Sequence, residues 1–182
     1  MGISSMMSRL AMAVAASLAA AAPATAEVTE AQDWGFQSVH VFEIAAPPDR
    51  VWDAMVEPSR WWDPSHSWFG KAEGLSIDLR PGGCFCEAGP DGAGARHMAV
   101  QFVDPNKSLH LWGALGPLHM QGVTGGLLMQ LKPAGERTTL TVTYSVGGFA
   151  KGGLKAWAPL VDGVIGHQFG RLEKVIEMGK AQ

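Results

Sequence analysis

The sequence predicts an α+β fold, in which a curved antiparallel sheet of seven strands surrounds one long C-terminal helix. Two observations support this prediction. From Leu75 to Val146, short apolar stretches alternate with turns that contain glycine and proline, at the spacing of β-hairpins. From Ala158 to about Met178, apolar residues recur at every third or fourth position, as they do on one face of a helix. Because this helix has to bury its apolar face, the sheet must wrap around it.

A first strand and a short helix precede the hairpin region. Residues 36–44 are rich in β-branched and aromatic side chains, which predicts a strand. Pro48 and Asp49 suit the first turn of a helix, because that turn needs no N–H from proline and its dipole favours a carboxylate. Pro58 ends this helix. The other six strands are predicted near residues 75–80, 83–88, 96–103, 108–114, 122–132 and 138–146.

The first 26 residues are typical of a secretory signal peptide. One basic residue, Arg9, precedes an apolar run of 13 residues from Leu10 to Ala22, and Ala24-Thr25-Ala26 supplies small residues at the cleavage positions. This run is shorter than the roughly 20 residues of a membrane-spanning helix. We therefore expect cleavage after Ala26, no stable membrane anchor, and a periplasmic or secreted protein. Residues 27–35 would be a polar lead-in, and residues 36–180 a single domain.

Charge and motifs exclude several classes of function. The chain has 14 basic and 17 acidic side chains, a net charge of −3 at pH 7, and no conspicuous cluster of lysine and arginine. Nucleic acid is therefore not an expected partner. The glycine-rich segment after residue 146 has Gly153-Leu154 where a phosphate-binding loop needs Lys and Ser or Thr. Neither a cofactor nor a catalytic residue is predicted from these patterns.

Cys84 and Cys86 alternate with Phe85 on a predicted strand. Export would favour a disulfide. In an extended strand, however, the Cα atoms of residues i and i+2 lie roughly 6.5–7 Å apart with parallel Cβ vectors, whereas a disulfide needs Cβ atoms about 3.5–4.5 Å apart. We therefore expect two free thiols unless the strand is distorted. A metal site with His97 of the next strand is the alternative, but a paired C-x-x-C is lacking and no metal is predicted.

Short motifs along the chain allow a comparison with known families. They are Pro48-x-x-Val51-Trp52, Arg80-Pro81-Gly82-Gly83, Pro90-Asp91-Gly92, and Val103-Asp104-Pro105 followed by Leu109-x-Leu111. Their spacing resembles the START-like (SRPBCC) superfamily, in the branch named for activators of the heat-shock chaperone ATPase, and especially its exported polyketide cyclase-like members. The likeness covers about residues 36–178. It implies the helix-grip fold, in which a sheet grips the C-terminal helix around an apolar cavity, and it implies no common catalytic residue.

This resemblance, together with the aromatic residues, predicts a ligand pocket between the C-terminal helix and the sheet. Gln168 lies within the apolar stripe of the helix, where a buried amide has to find hydrogen-bond partners. Its partner would be a strand or a water molecule, or else a ligand. The residues expected to bind the ligand are Trp61, Trp62, Trp68, Phe85, Phe102, Leu111, Tyr144, Trp157, Val161 and Gln168.

Three functions remain open at this point. The preferred one is binding of a small hydrophobic molecule in the periplasm by a carrier, sensor or sequestering protein. The second is a cyclase- or hydrolase-like enzyme that uses His97 or Tyr144 as acid or base in the same pocket. The third is a protein-interaction module without a ligand. A cavity on the order of several hundred Å3 favours the first two functions. An acid–base pair facing that cavity would distinguish the enzyme from the carrier.

Overall fold

The computed structural model describes residues 25–179, which form one antiparallel sheet of eight strands and two α-helices. The strand order in the sheet is β1-β2-β8-β7-β6-β5-β4-β3. Within this part of the chain, no helix is both long and apolar enough to cross a membrane. The elements are β1 (Thr25–Gln32), β2 (Gly35–Ile44), α1 (Pro48–Met55), β3 (Leu75–Ile77), β4 (Cys84–Ala88), β5 (Gly94–Asp104), β6 (Ser108–Gly113), β7 (Gly122–Ala134), β8 (Arg137–Phe149) and α2 (Ala158–Met178).

The predicted α+β helix-grip class is confirmed. Strands β3 to β8 form a meander, and β2 extends the sheet by pairing with β8. The regular alternation of β8 points Leu140, Val142, Tyr144 and Val146 into the core. The long helix α2 packs against β2 and α1 and buries Ile165, Phe169, Leu172 and Ile176 among other residues. At the polar end of this interface, Asp162 accepts a hydrogen bond from Ser38.

The sheet has eight strands where seven were predicted, because the expected lead-in forms β1. This edge strand pairs with β2 from Thr25↔Val41 to Gln32↔Gly35. Its polar sequence has little apolar alternation, so it depends on the hydrogen bonds of β2 more than on burial. Residues 1–24 of the predicted signal peptide lie outside the residues that the structure describes. The predicted cleavage point after Ala26 falls inside β1, and cleavage stays a prediction.

Two β-bulges in β5 decide which side chains face the interior. The register passes from Phe85↔Met98 to Cys86↔Arg96, so His97 is an extra residue on β5. It then passes from Val100↔Leu111 to Phe102↔His110, which skips residue 101. An extra residue reverses the facing of the side chains that follow it. As a result both His97 and Met98 are buried, and the predicted inward facing of Phe102 is wrong: its side chain is 52% exposed.

Cys84 and Cys86 form a disulfide, so the expectation of two free thiols is wrong. The ladder between β4 and β5 is irregular between Phe85 and Cys86, and the two cysteine Cα atoms lie 5.4 Å apart. This separation is shorter than the extended-strand value on which the expectation rested. His97 faces the interior while both sulfur atoms are used in the bond, so the metal alternative fails. Residues 25–179 contain no group of side chains arranged to hold a metal ion.

Candidate ligand-binding site

A pocket of about 380 Å3 lies between the first half of α2 and two loops of the sheet. One loop, residues 61–69, follows α1 and is called the tryptophan loop below. The other connects β6 to β7 and contributes Leu115, Gly116 and Pro117. Helix α2 and the residue before it supply the opposite wall, which consists of Trp157, Leu160, Val161, Val164 and Ile165. The volume is in the range of small-molecule sites, and the wall is mainly apolar.

A buried carboxylate fixes the tryptophan loop to the sheet. Glu87 of β4 is buried, and its two oxygens accept hydrogen bonds from the backbone N–H groups of Trp68 (2.9 Å) and Phe69 (2.8 Å). The ring of Phe69 lies against Gly89, where a Cβ atom would come within 2.7 Å of it. A buried carboxylate is costly unless such donors surround it. These contacts hold the Trp68 side chain at the pocket, where it is 46% exposed.

His97 links this carboxylate to the pocket. Its Nε2 atom lies 3.0 Å from Oε2 of Glu87, its ring packs 4.9 Å from that of Phe85, and the residue lines the pocket. Burial lowers the pKa of His97 below its ordinary value, and the hydrogen bond to Glu87 opposes this shift only in part. A neutral His97 has to donate from Nε2, since an ionised carboxylate only accepts. We therefore assign the free lone pair to Nδ1.

The other end of the tryptophan loop is fixed to α2. The backbone N–H of Asp63 donates to Oε1 of the buried Gln168 (2.8 Å), and the backbone carbonyl of Trp61 accepts from Nε of Arg171 (2.8 Å). His167 Nε2 lies 2.8 Å from the carboxylate of Asp63. The hydrogen bond with His167 is the largest cause that holds the pKa of Asp63 well below its usual range, followed by the backbone N–H of Ser65. The loop therefore connects helix and sheet.

The structure brings four of the ten predicted ligand residues together in the pocket wall. These are Trp62, Trp68, Trp157 and Val161. That they bind a ligand stays a prediction. Five others are buried and do not line the pocket, and one of these, Gln168, anchors the loop. The tenth residue, Phe102, lies on the outer face of the sheet. The five buried residues are Trp61, Phe85, Leu111, Tyr144 and Gln168.

Tyr144 is positioned as a support for the pocket and not as a group inside it. Its hydroxyl oxygen accepts a hydrogen bond from the backbone N–H of Leu115 at 3.0 Å, which places the β6–β7 loop against the pocket. Burial raises the pKa of Tyr144 to about 12. At neutral pH this phenol is therefore protonated and poorly suited to act as a base. Of the two acid–base candidates named from the sequence, the structure places only His97 in the pocket wall.

Sequence reasoning missed Glu87 and the β6–β7 loop. A signal for Glu87 was present, since it follows Phe85 by two residues on a predicted strand and therefore shares its inward face. A carboxylate at an inward position needs partners and is a candidate functional group. No comparable signal marked Leu115–Pro117, because their place depends on the hydrogen bond with Tyr144, 29 residues further along the chain.

The fold and this pocket define a helix-grip protein with an apolar site. Residues 35–177 match the family described as "Polyketide cyclase / dehydrase and lipid transport". The match covers most of the chain, and the protein belongs to this family. This confirms the SRPBCC membership predicted from the motifs. The family description names the handling of polyketides and lipids, so the family indicates hydrophobic ligands. Comparison with the curated proteins gives no match.

Solved structures share the fold at low sequence identity. A protein of unknown function from Enterococcus faecalis is 17% identical over 84% of this chain and 76% of its own, with a TM-score of 0.55. A protein from Arthrobacter aurescens is also 17% identical, over 84% of this chain and 93% of its own, with a TM-score of 0.53. A putative protein of the dynemicin biosynthetic locus is 23% identical over 79% of this chain and 48% of its own, with a TM-score of 0.55. These similarities concern the fold alone.

Proposed function

We propose that this protein is exported and binds a small hydrophobic molecule in the pocket between α2 and the tryptophan loop. The observation that carries the proposal is the pocket of about 380 Å3 with its mainly apolar wall. A space of this size would be filled by side chains in a protein whose interior is packed throughout. The family, whose description includes lipid transport, supports the same class of ligand.

The polar groups of the pocket lie on one side of it. Ser65, His66 and Ser67 belong to the tryptophan loop, and His97 to β5, whereas Val161, Val164 and Ile165 of α2 form an apolar strip opposite. A ligand with an apolar body and one polar end fits this division, because the body would lie along α2 and the polar end would reach the loop. Few but well-placed polar groups orient ligands in such sites.

Binding can be measured with an environment-sensitive apolar dye and with native mass spectrometry of the protein isolated from its own host. We expect a co-purifying small molecule that competes with the dye. Trp68→Ala should weaken dye binding at least tenfold. Trp112→Ala is a matched control, since Trp112 is exposed to nearly the same extent, 47%, but lies outside this pocket. Dye binding that is equal in both variants would contradict the proposal, and the absence of any bound probe would favour an interaction module.

A second candidate is an enzyme that uses His97 as general base, and the bond between His97 and Glu87 favours it. A carboxylate that holds Nε2–H leaves Nδ1 ready to accept a proton, and the lowered pKa keeps the ring neutral near pH 7. The base would take a proton from a carbon beside a carbonyl group and return it to the product. The family description names cyclases and dehydrases.

Deuterium uptake into an aromatic ketone such as 1-indanone tests this second candidate. The protein should accelerate uptake beside the carbonyl above the rate in buffer. His97→Gln should abolish the acceleration and keep dye binding, while Trp112→Ala should keep both because Trp112 lies outside the pocket. Equal uptake with the protein and with its His97→Gln variant would leave the binding protein as the better description.

A further inference from the structure

We propose that the opposite face of the sheet carries a second site, which binds a short carbohydrate chain. A groove of about 440 Å3 crosses this face from β1 to β6. Its walls and floor include Trp34, Gln37, Trp112, Ser145 and Gly147, and it is called the outer groove below. It shares none of its residues with the pocket of the tryptophan loop. The inference is therefore independent of the function proposed above.

Two exposed tryptophans stand at the ends of the outer groove. Trp34, in the turn between β1 and β2, is 68% exposed, and Trp112, on β6, is 47% exposed. Three strand spacings separate β2 from β6, which corresponds to about 14 Å. An indole is a rigid surface with little conformational entropy to lose, and its face stacks on the C–H groups of a pyranose ring. Two such surfaces at this distance suit a chain of sugar rings better than a single small molecule.

Between the tryptophans, the groove presents side chains that both donate and accept hydrogen bonds. Gln37 Nε2 donates to Ser145 Oγ at 2.9 Å, and Thr29 Oγ1 donates to Gln37 Oε1 at 3.1 Å. This chain of contacts fixes the orientation of the Gln37 amide. Thr124 adds a hydroxyl and Glu30 a carboxylate. A lipid would offer no partner to the Thr124 hydroxyl and the Glu30 carboxylate, which is costly, whereas the hydroxyl groups of a carbohydrate can both donate and accept hydrogen bonds.

Glycines keep the floor of the groove open. A Cβ atom at Gly35 would lie 2.7 Å from the carbonyl oxygen of Val146, so this position has no room for a side chain. At Gly147 the nearest atom to a Cβ would be the carbonyl oxygen of Trp34 at 3.7 Å, which is an ordinary contact. A side chain placed at Gly147 would therefore fill the groove without a steric conflict at its Cβ.

Titration calorimetry of the purified full-length chain with chitotetraose and with cellotetraose tests the proposal. We expect saturable binding of at least one of the two probes. Trp112→Ala should weaken it at least tenfold by removing a stacking surface, and Gly147→Leu should do the same by filling the groove. Trp68→Ala is the control, since Trp68 lies in the other pocket and its loss should leave carbohydrate binding unchanged. Circular dichroism establishes whether each variant is folded. If Trp112→Ala does not fold, the comparison rests on Gly147→Leu.

Several results would overturn the proposal. These are no binding of either probe at millimolar concentration, binding that both outer-groove variants retain, or binding that Trp68→Ala removes. Sedimentation of the unliganded protein could give one more result that overturns the proposal. If the chain forms a dimer that Gly147→Leu dissociates, the outer groove is a contact between copies and not a carbohydrate site. Failure here leaves dye binding in the first pocket untouched, so the two proposals fail separately.

Discussion

Replacing Glu87 by glutamine tests whether a buried carboxylate holds the tryptophan loop. Glu87 accepts three hydrogen bonds, from the backbone N–H groups of Trp68 and Phe69 and from His97. Glutamine has nearly the same shape but only one acceptor oxygen. In its best orientation that oxygen takes the place of Oε2 and keeps the bonds with Trp68 and His97. The N–H of Phe69 then faces an NH2 group and loses its partner.

The expected loss of stability follows from the one hydrogen bond that glutamine cannot accept. One buried donor without a partner costs about 1–3 kcal/mol, so Glu87→Gln should lower the free energy of unfolding by that amount. Urea denaturation measures the global loss. Amide hydrogen exchange of Trp68 and Phe69 measures the local one, because both amides lose protection if the loop detaches from the sheet.

Glu136→Gln supplies the matched control, since Glu136 lies exposed in the turn between β7 and β8. The same chemical change there should alter stability by less than about 0.5 kcal/mol. If Glu87→Gln behaves like this control, and exchange at Trp68 and Phe69 is unchanged, the carboxylate does not hold the loop and the reasoning fails.

Three further predictions concern other parts of the molecule. Leu172→Ala should cost about 2–5 kcal/mol in urea unfolding, since Leu172 is fully buried in α2; a loss near zero would contradict the packing of α2. Burial lowers the pKa of His97 in the folded protein below its value in the unfolded chain. The contribution of His97 to stability is therefore complete above about pH 6.5. It decreases as the pH falls toward the folded pKa, because the unfolded chain takes up the proton first. Urea unfolding between pH 8 and 5 should show this decrease in the native protein and not in His97→Gln. Amino-terminal sequencing of exported protein should begin at Glu27, and an intact Met1 end in the membrane fraction would refute cleavage.

The strands and α2 could be predicted because their sequences repeat with the period of the element. Residues 139–146 alternate without interruption, and the described β8 buries the residues expected. The strand β1 could not be predicted in this way, because an edge strand with polar side chains is fixed by its neighbour. The helix stripe of α2 placed Leu172 in the core, and it placed Val161 where the pocket wall begins.

The interior of the site was harder to predict because it depends on β5. Simple alternation along β5 would point His97 outward and Phe102 inward, whereas the structure buries His97 and exposes Phe102. The difference arises because each bulge adds a residue that the sequence pattern does not reveal. The disulfide was missed for a related reason: an ideal strand cannot bring Cys84 and Cys86 together, and the irregular ladder does. Contacts between distant residues, such as Tyr144 with Leu115, have no local signature at all.

The unequal attachment of the two loops has a consequence for the kinetics of ligand exchange. The tryptophan loop is bound at one end to α2 and at the other to Glu87, so its departure would break contacts on both sides. The β6–β7 loop meets the pocket through the bond from Leu115 to Tyr144, and Gly116 beside it has a φ of 55°, a conformation open to glycine. The side of Gly116 thus has fewer described hydrogen bonds to break, and we expect the lower barrier there for a ligand bound in the pocket. Ligand would enter and leave there, and Tyr144→Phe should shorten its residence time more than it reduces the capacity of the pocket.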